Sequence, residues 1–430
     1  MIEPGSIVTL DVEKPAAGGR MLARHQGRVV FVWGAIPGER VAARIERVGK
    51  GLAFAETVEV LSPSPDRRPA EGDWRCGGSV LAHVSYARQL RLKGQIIQDA
   101  FGRIGRVPLP AVPEVIGSPE TGYRMRARLH ARHGRLGFFR EGTHELCDAA
   151  VTGQLLPSTQ AWIAAAGETL RRERLNGLAD LELAENIAGD ERACHLELEP
   201  GTDAAPFVAL AGELVGLSAQ RADRPDVERL AGTPSIADTI TIEDGGHAVV
   251  RLRRDVRAFF QSNRFLIERL VRHVLPLVPP GPVVDLYAGV GLFGLSLAAA
   301  GADAITLVEG DPISGADLSG NAQAFGDRVR VERTSVERFL ASAGQGTTTR
   351  PTLSGATFIV DPPRTGMTKE AVAGIIRANP ARVVYVSCDI ATLARDTRTL
   401  LDAGYGLEQV AGIDLFPNTA HVESIALFTK

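Results

Sequence analysis

Between residues 6 and 62 apolar and polar residues alternate in three runs, "SIVTLDVE", "RVVFVWGAIPGERVAARIERVGK" and "LAFAETVEVLS". A period of two places successive side chains on opposite faces of a strand. Glycines and a Pro-Gly pair break the runs at the spacing of a small β-barrel. The segment 62–73, "SPSPDRRPAEGD", is rich in proline, serine and charge and reads as a linker. Residues 85–104, "SYARQLRLKGQIIQDAFGRI", carry apolar side chains at helical spacing and predict one amphipathic helix. A mixed stretch follows to about residue 255, with hairpin-like strands around 123–140 and a helix at 159–175. Beyond 256 the pattern changes again. "GPVVDLYAGVGLFGLSLAAAGA", "AITLVEGD", "ATFIVDPPRTG" and "VVYVSCD" are short apolar strands that end in polar residues, with helical stretches between them. That alternation predicts an α/β fold with a parallel, doubly wound sheet. The expected division is a barrel over 1–64, a mixed α+β central domain over 65–255, whose helix at 85–104 is available to pack on the last domain, and a Rossmann-like domain over 256–430.

Composition narrows the class. The chain has 430 residues, 44% of them hydrophobic, enough for two or three domains with cores of their own. Its four cysteines, Cys76, Cys147, Cys194 and Cys388, are scattered, and "MIEPGSIVTLDVEK" lacks the basic-then-apolar pattern of an export signal. A reducing cytoplasm is the expected home. No uninterrupted apolar stretch reaches the roughly 18 residues that a membrane span requires, so no membrane partner is expected. The net charge of −3 excludes a chain that is basic all over, but arginines cluster at 123–140 and 251–264. Arg124, Arg126 and Arg128 alternate with Met125, Ala127 and Leu129, so a strand there would carry three guanidiniums on one face. That face reads either as solvated surface or as a nucleic-acid patch.

The chemistry-bearing residues gather at strand ends. In doubly wound sheets ligands sit beyond the carboxyl ends of the strands, and Asp285, Glu309, Asp361 and Cys388 are all expected there. "DLYAGVGLFG" is a glycine-rich turn without the Gly-Lys-Ser/Thr of a phosphate loop, and Glu309 stands 24 residues after Asp285, where a carboxylate suits the hydroxyls of a ribose. A nicotinamide dinucleotide and S-adenosylmethionine both satisfy these features. In "DPPR", two prolines fix φ and stiffen the turn after Asp361. Glu423 opens an otherwise apolar C-terminal strand.

"DLYAGVGLF", "DPPRTG", "VYVSCDIATLARD" and "DLFPNTAHVE", in that order, resemble the RNA uracil-5 methyltransferases that use S-adenosylmethionine. "GRVVFVWGAIPGERV" with "SPSPDRRP" resembles the TRAM domain, an OB-like RNA-binding barrel found in the ribosomal RNA branch of that family, and "GFFREGTHELCD" and "FFQSN" also match. The resemblance implies that Cys388 adds to carbon 6 of a uracil, that Glu423 later removes the proton from carbon 5, and that Gln261, Tyr287, Gly289, Glu309 and Asp361 line the cofactor pocket. Arg364 is then placed to favour the thiolate of Cys388. The target base must be unstacked or flipped out, and the arginine cluster would contact RNA phosphates. The implied substrate is 23S ribosomal RNA, with transfer RNA as the alternative; a catalytically inactive RNA-binding assembly factor is the competing reading from another class. A monomer is expected.

Four departures stand out. Many relatives hold an iron–sulfur cluster on four cysteines around "CGGC"; here the motif reads "CGGS", Ser79 replaces one ligand and Ala70 another, and only Cys76 and Cys147 remain. Since a cubane cluster takes four thiolates, no cluster and no other metal is expected. Asp389-Ile390 follows the nucleophile where Asn-Pro is usual, Leu292 occupies a commonly polar position, and Asn418 replaces a frequent histidine.

Overall fold

The computed structural model of the protein describes residues 2–16, 18–70, 72–243, 247–342 and 353–430. Strands β1 (Ile7–Pro15), β2 (Met21–His25), β3 (Arg28–Trp33), β4 (Arg40–Val48) and β5 (Leu52–Ser62) close into a barrel in the order β1-β2-β3-β5-β4. The alternation in the sequence is what fills it: Leu10, Val12, Val30, Val32, Val41, Ile45, Ala53 and Ala55 point inward and are buried, while their neighbours face out. Helix α1 (Tyr86–Ala100) and the two-residue strand β6 (Val115–Ile116) follow.

The central sheet uses β7 (Arg126–Arg132), β8 (Arg135–Phe139), β9 (Leu146–Cys147), β10 (Leu178–Glu185), β11 (Arg192–Leu198), β12 (Gly216–Arg221) and β13 (Val227–Gly232), with helix α2 (Pro157–Arg172) against it. Its register alters the reading of the arginine row. β10 lies antiparallel to β7 with Glu182 opposite Arg128 and Asp180 opposite His130. Arg126 therefore pairs with Glu182 at 3.2 Å, and Arg128 with Asp180 at 2.7 Å and Glu197 at 2.8 Å. Arg124 is half-buried and donates to Gln154 at 2.6 Å. The row expected to meet phosphates is largely neutralised by the acidic strands beside it.

The cysteine expectation is also corrected. Cys76 and Cys147 are joined in a disulfide, with Cα atoms 5.7 Å apart. Strand pairing brings them together: Cys147 lies opposite Phe138 across β8 and β9, and Cys76 bridges Arg140 two residues further on. Cys194 is buried in the same core, and among the described residues no group of three or more His, Cys, Asp or Glu is gathered to hold a metal. With serine and alanine at the other two matching positions, the residues present do not fit a four-thiolate cluster.

The hairpin β14 (Ser235–Glu243) and β15 (His247–Asp255) leads into the last region, made of α3 (Ile267–Val274), β16 (Val283–Leu286), α4 (Leu292–Ala299), β17 (Ile305–Glu309), α5 (Pro312–Ala322), β18 (Val329–Arg333), α6 (Val336–Ser342), β19 (Thr357–Val360), α7 (Lys369–Ala378), β20 (Arg382–Ser387), α8 (Ile390–Asp402), β21 (Gly406–Ile413) and β22 (Glu423–Thr429). The sheet order is β18-β17-β16-β19-β20-β22-β21-β6. β16 to β20 are parallel and Rossmann-like; β21 and β22 add antiparallel strands, and β6 joins the far edge from outside the region. Packing crosses the line drawn at 255. Ile240, Ile242, Val250 and Leu252 of the hairpin share a core with Leu295, Leu307 and Leu318, while Ile96, Ile97, Phe101 and Val115 share the opposite core with Val360, Val383 and Leu393. A two-stranded hairpin or a lone helix cannot cover its own apolar face, so each docks on the sheet. No described helix is long and apolar enough to cross a membrane.

Candidate active site

The chain runs outward from β16 to β17 and β18 on one side, and from β19 to β20 on the other. The reversal lies between β16 and β19, the place where such sheets form a crevice. Register then sets the row of side chains. Leu286 lies beside both Val308 and Val360, so Tyr287, Glu309 and Asp361 emerge together at the strand ends. Val360 lies beside Tyr385, and Cys388 follows the last residue of β20. Because β22 runs antiparallel to β20 with Ser387 opposite Ser424, the next step outward sets Cys388 across from Glu423.

These residues line one cavity of about 670 Å³, with Gln261, Gly289, Arg364 and Phe416. All seven site residues expected from the sequence meet there. Asp285 does not: it lies inside β16, buried, where its Oδ2 accepts the Gly294 amide of α4 at 2.8 Å and burial pushes it up to about 8. A side chain at Gly294 would collide with Leu307, so the glycine lets the helix start close against the strand.

Tyr287 holds a left-handed φ of 60°, uncommon for a bulky residue and a local strain of the kind found at functional turns. Glu309 accepts the amides of Gly289 at 2.7 Å and Asp311 at 2.6 Å, which fixes its carboxylate at the crevice. Gln261 donates to Asp361 at 3.2 Å. Burial pushes Asp361 up to about 7 against the opposing effect of that bond. Glu423 is buried, one of its oxygens lacks a partner, and burial together with the Asp361 charge raises it well above the carboxylate range, with Arg364 pulling the other way. Burial, then Glu423 and Asp361, push the Cys388 thiol up to about 12; Arg364 beside it opposes this but does not prevail. The resting thiol is therefore neutral: Arg364 favours the thiolate, as expected, but burial and the two carboxyls outweigh it.

The loop between β21 and β22 brings Phe416 to the cavity and is held from outside. Buried Lys93 of α1 donates to Asp414 and to the Phe416 carbonyl at 2.9 Å. Asn418, at φ 64°, accepts from Arg68 at 3.0 Å and Gln89 at 2.8 Å, and its own amide donates to Gln89 at 2.9 Å. Asparagine tolerates the left-handed conformation, which gives this departure a local reason. The others have one too: Asp389 caps α8 by accepting the Thr392 amide at 2.9 Å, Ile390 is buried against the sheet, and Leu292 lies in the core rather than in the cavity. Phe259, Arg257 and Ser262 also line the cavity and were not singled out. The signal for Phe259 was the Phe-Phe pair, of which Phe260 is buried and Phe259 is 60% exposed.

Comparison with known proteins agrees with this architecture. The family model described as tRNA (Uracil-5-)-methyltransferase matches residues 233–430, and that of the TRAM domain matches residues 3–58. The chain is 31% identical to the 23S rRNA (uracil(1939)-C(5))-methyltransferase RlmD of Halomonas elongata, covering 97% of this chain and 88% of that protein. It is also 31% identical to an uncharacterized RNA methyltransferase of Thermosynechococcus vestitus, covering 99% of both. Its fold matches the crystal structure of Pyrococcus abyssi tRNA (uracil-54, C5)-methyltransferase in complex with S-adenosyl-L-homocysteine, with a TM-score of 0.75 at 24% identity over 98% of this chain and 99% of that one. Likeness of this extent, along nearly the whole of both chains, shows that the protein belongs to the S-adenosylmethionine-dependent RNA uracil-5 methyltransferases and carries a TRAM domain at its N-terminus.

Proposed function

We propose that the protein methylates carbon 5 of a uridine in 23S ribosomal RNA through a covalent bond between Cys388 and the uracil. Carbon 5 of uracil is a weak nucleophile. The Cys388 thiol gives up its proton to water as its sulfur adds to carbon 6, the ring electrons move onto the carbonyl oxygen at position 4, and the resulting enolate is nucleophilic at carbon 5. S-adenosylmethionine supplies the methyl group as a sulfonium. Glu423 then takes the proton from carbon 5, the carbon–sulfur bond breaks to expel the Cys388 thiolate, and the thiolate takes a proton back from water. Tyr287, Gly289 and Glu309 hold the cofactor, Glu309 facing the ribose hydroxyls; Gln261 and Asp361 stand between cofactor and base. Arg364 offsets the two carboxyls around the sulfur.

The observation that carries this reading is the antiparallel register that sets Cys388 opposite Glu423 at the mouth of the crevice. A nucleophile and a base on adjoining strands can both reach one flat ring. The ribosomal target is supported by the relatives named as 23S rRNA methyltransferases. Transfer RNA is favoured by the names of the matching family model and of the Pyrococcus abyssi structure, the latter at 24% identity a likeness of fold alone.

Two measurements test the proposal. An RNA substrate carrying 5-fluorouridine at the target should become covalently attached to Cys388, because fluorine cannot leave as a proton does; Cys388→Ala should abolish attachment and methyl transfer while RNA binding persists. Mapping 5-methyluridine in ribosomal and transfer RNA of cells with and without the protein should show the loss of one 23S site. A loss confined to transfer RNA would overturn the ribosomal target, and intact turnover without any attachment would overturn the mechanism.

A further inference from the structure

Two motifs carry residues that the proposed reaction does not use: Gly366 and Met367 beyond "DPPR", and Thr392, Arg395 and Asp396 in the second half of "VYVSCDIATLARD". The fold brings the two together. Cys388 stands two residues before α8, which Asp389 caps, and the second turn of that helix meets the loop that runs from Asp361, at the end of β19, to Thr368, before α7. That loop carries Arg364 into the catalytic cavity beside Cys388, where it acts on the sulfur both as a charge and as a hydrogen-bond donor.

The loop is seated at one peptide. Met367 is buried; its N–H donates to Asp396 Oδ2 at 3.3 Å, and its carbonyl accepts from Arg395 Nη2 at 3.2 Å. Asp396, 3% exposed, is fixed in turn: Arg395 donates to its Oδ1 at 2.7 Å, and the Tyr385 hydroxyl of β20 donates to its Oδ2 at 2.8 Å. A carboxylate accepts at both oxygens, so this one side chain ties strand, helix and loop together. Gly366, at φ 73°, lies close against the helix: a side chain there would come within 2.7 Å of Thr392 and of the Arg395 guanidinium. Its amide donates to the Pro363 carbonyl at 2.8 Å and closes a turn in which Arg364 is an inner residue. With Pro362 and Pro363 rigid at one end and the Met367 peptide gripped at the other, Arg364 has little freedom to leave the sulfur.

We propose that Asp396, with Arg395 beside it, is a positioning residue for the nucleophile: by gripping the Met367 peptide from α8 it holds Arg364 next to Cys388. The inference takes Cys388 as the reactive sulfur and so rests on the proposed function. What separates this role from that of a clasp that only stabilises the fold is a matter of sign. Glu423 on β22 and Asp361 at the end of β19 are the carboxyls that disfavour the thiolate, and Arg364 is the group that favours it. Removing the Asp396 carboxylate takes away a negative charge, which through space alone makes a thiolate easier to form. Where Asp396 acts by seating Arg364, its loss makes the thiolate harder to form.

The test is the rate at which iodoacetamide labels Cys388 in the full-length, ligand-free protein at one fixed, mildly alkaline pH, read by mass spectrometry. Asp396→Leu should slow labelling roughly 3- to 30-fold: losing an opposite charge raises a pKa by about 1–3 units, and the more basic thiolate, being the better nucleophile, recovers about half of that on a logarithmic scale. Asp396→Asn, whose amide oxygen still accepts from Met367 and Tyr385, should label at nearly the wild-type rate. In an Arg364→Gln background, Asp396→Leu should slow labelling no further, because the group it positions is gone. Gly366→Ala changes no charge and pushes the loop off α8; it should slow labelling in the same way and serves if the leucine variant does not fold. Wild-type or faster labelling in folded Asp396→Leu or Gly366→Ala, or a slowing kept in full in the Arg364→Gln background, would overturn the proposal. Labelling needs neither RNA nor cofactor, so this result stands whether or not attachment to 5-fluorouridine is seen.

Discussion

At the scale of single residues, the proposed nucleophile, Cys388, is defined by what surrounds it. A thiol pushed up to about 12 leaves a thiolate fraction on the order of 10⁻⁵ at pH 7. Iodoacetamide labelling of Cys388 in the ligand-free protein should therefore rise about tenfold per pH unit from 7 to 10 without levelling, because the thiolate gains with pH throughout that window. Asp361→Asn removes a negative charge and should speed labelling at each pH. Arg364→Gln removes the opposing positive charge and should slow it. Mass spectrometry separates this site from Cys194, which is buried. A plateau below pH 9 would contradict the high value. Most of this site was legible in the sequence, because strand ends and flanking motifs mark Cys388, Asp361, Glu309 and Glu423 locally. The neutral state of the thiol was not, since it comes from burial and from Glu423, whose closeness is a product of strand pairing.

At the scale of elements, the main errors were ones of partnership. The alternation at 124–129 correctly put the arginines on one face, but which strand would lie beside them is a non-local matter, and the acidic one did. The disulfide escaped notice for the same reason, its two cysteines being 71 residues apart in sequence. Helix α1 makes one buried cross-element link, to the loop before β22. The Lys93–Asp414 pair is fully buried, so removing one partner strands the other charge, at a cost of about 3–5 kcal/mol. Lys93→Met should lower stability by that amount in urea unfolding, and the double variant Lys93→Met with Asp414→Leu should recover part of it. If Lys93→Met alone costs under about 1 kcal/mol, the pair is not what holds the loop.

At the scale of the whole molecule, the catalytic region is discontinuous in sequence. The family match begins at residue 233, yet α1 and β6 complete the same sheet and core from residues 86–116. Losing Ile96, Ile97, Phe101 and Val115 from that core removes about 6–12 kcal/mol of burial, at about 1.5–3 kcal/mol each, comparable to the entire stability of a typical domain. A fragment of residues 233–430 should bind hydrophobic dyes and unfold without a sharp transition, and co-expression of residues 1–232 should restore one. A fragment that melts cooperatively on its own would contradict this. The boundary placed at 255 followed a change of periodicity, which reports local structure and not which surfaces end up covered.

The pairing of Ile116 with Ile413 also sets a timetable for the newborn chain. Helix α1 leaves the ribosome about three hundred residues ahead of the strand that shelters it, a wait on the order of 15–60 s at ordinary rates of translation. Throughout that interval Ile96 and Ile97 lack the cover that the late strands give, while Leu92 can already pack on the barrel. The enzyme can become whole only after its last strand has been made, so its assembly is an event that follows synthesis.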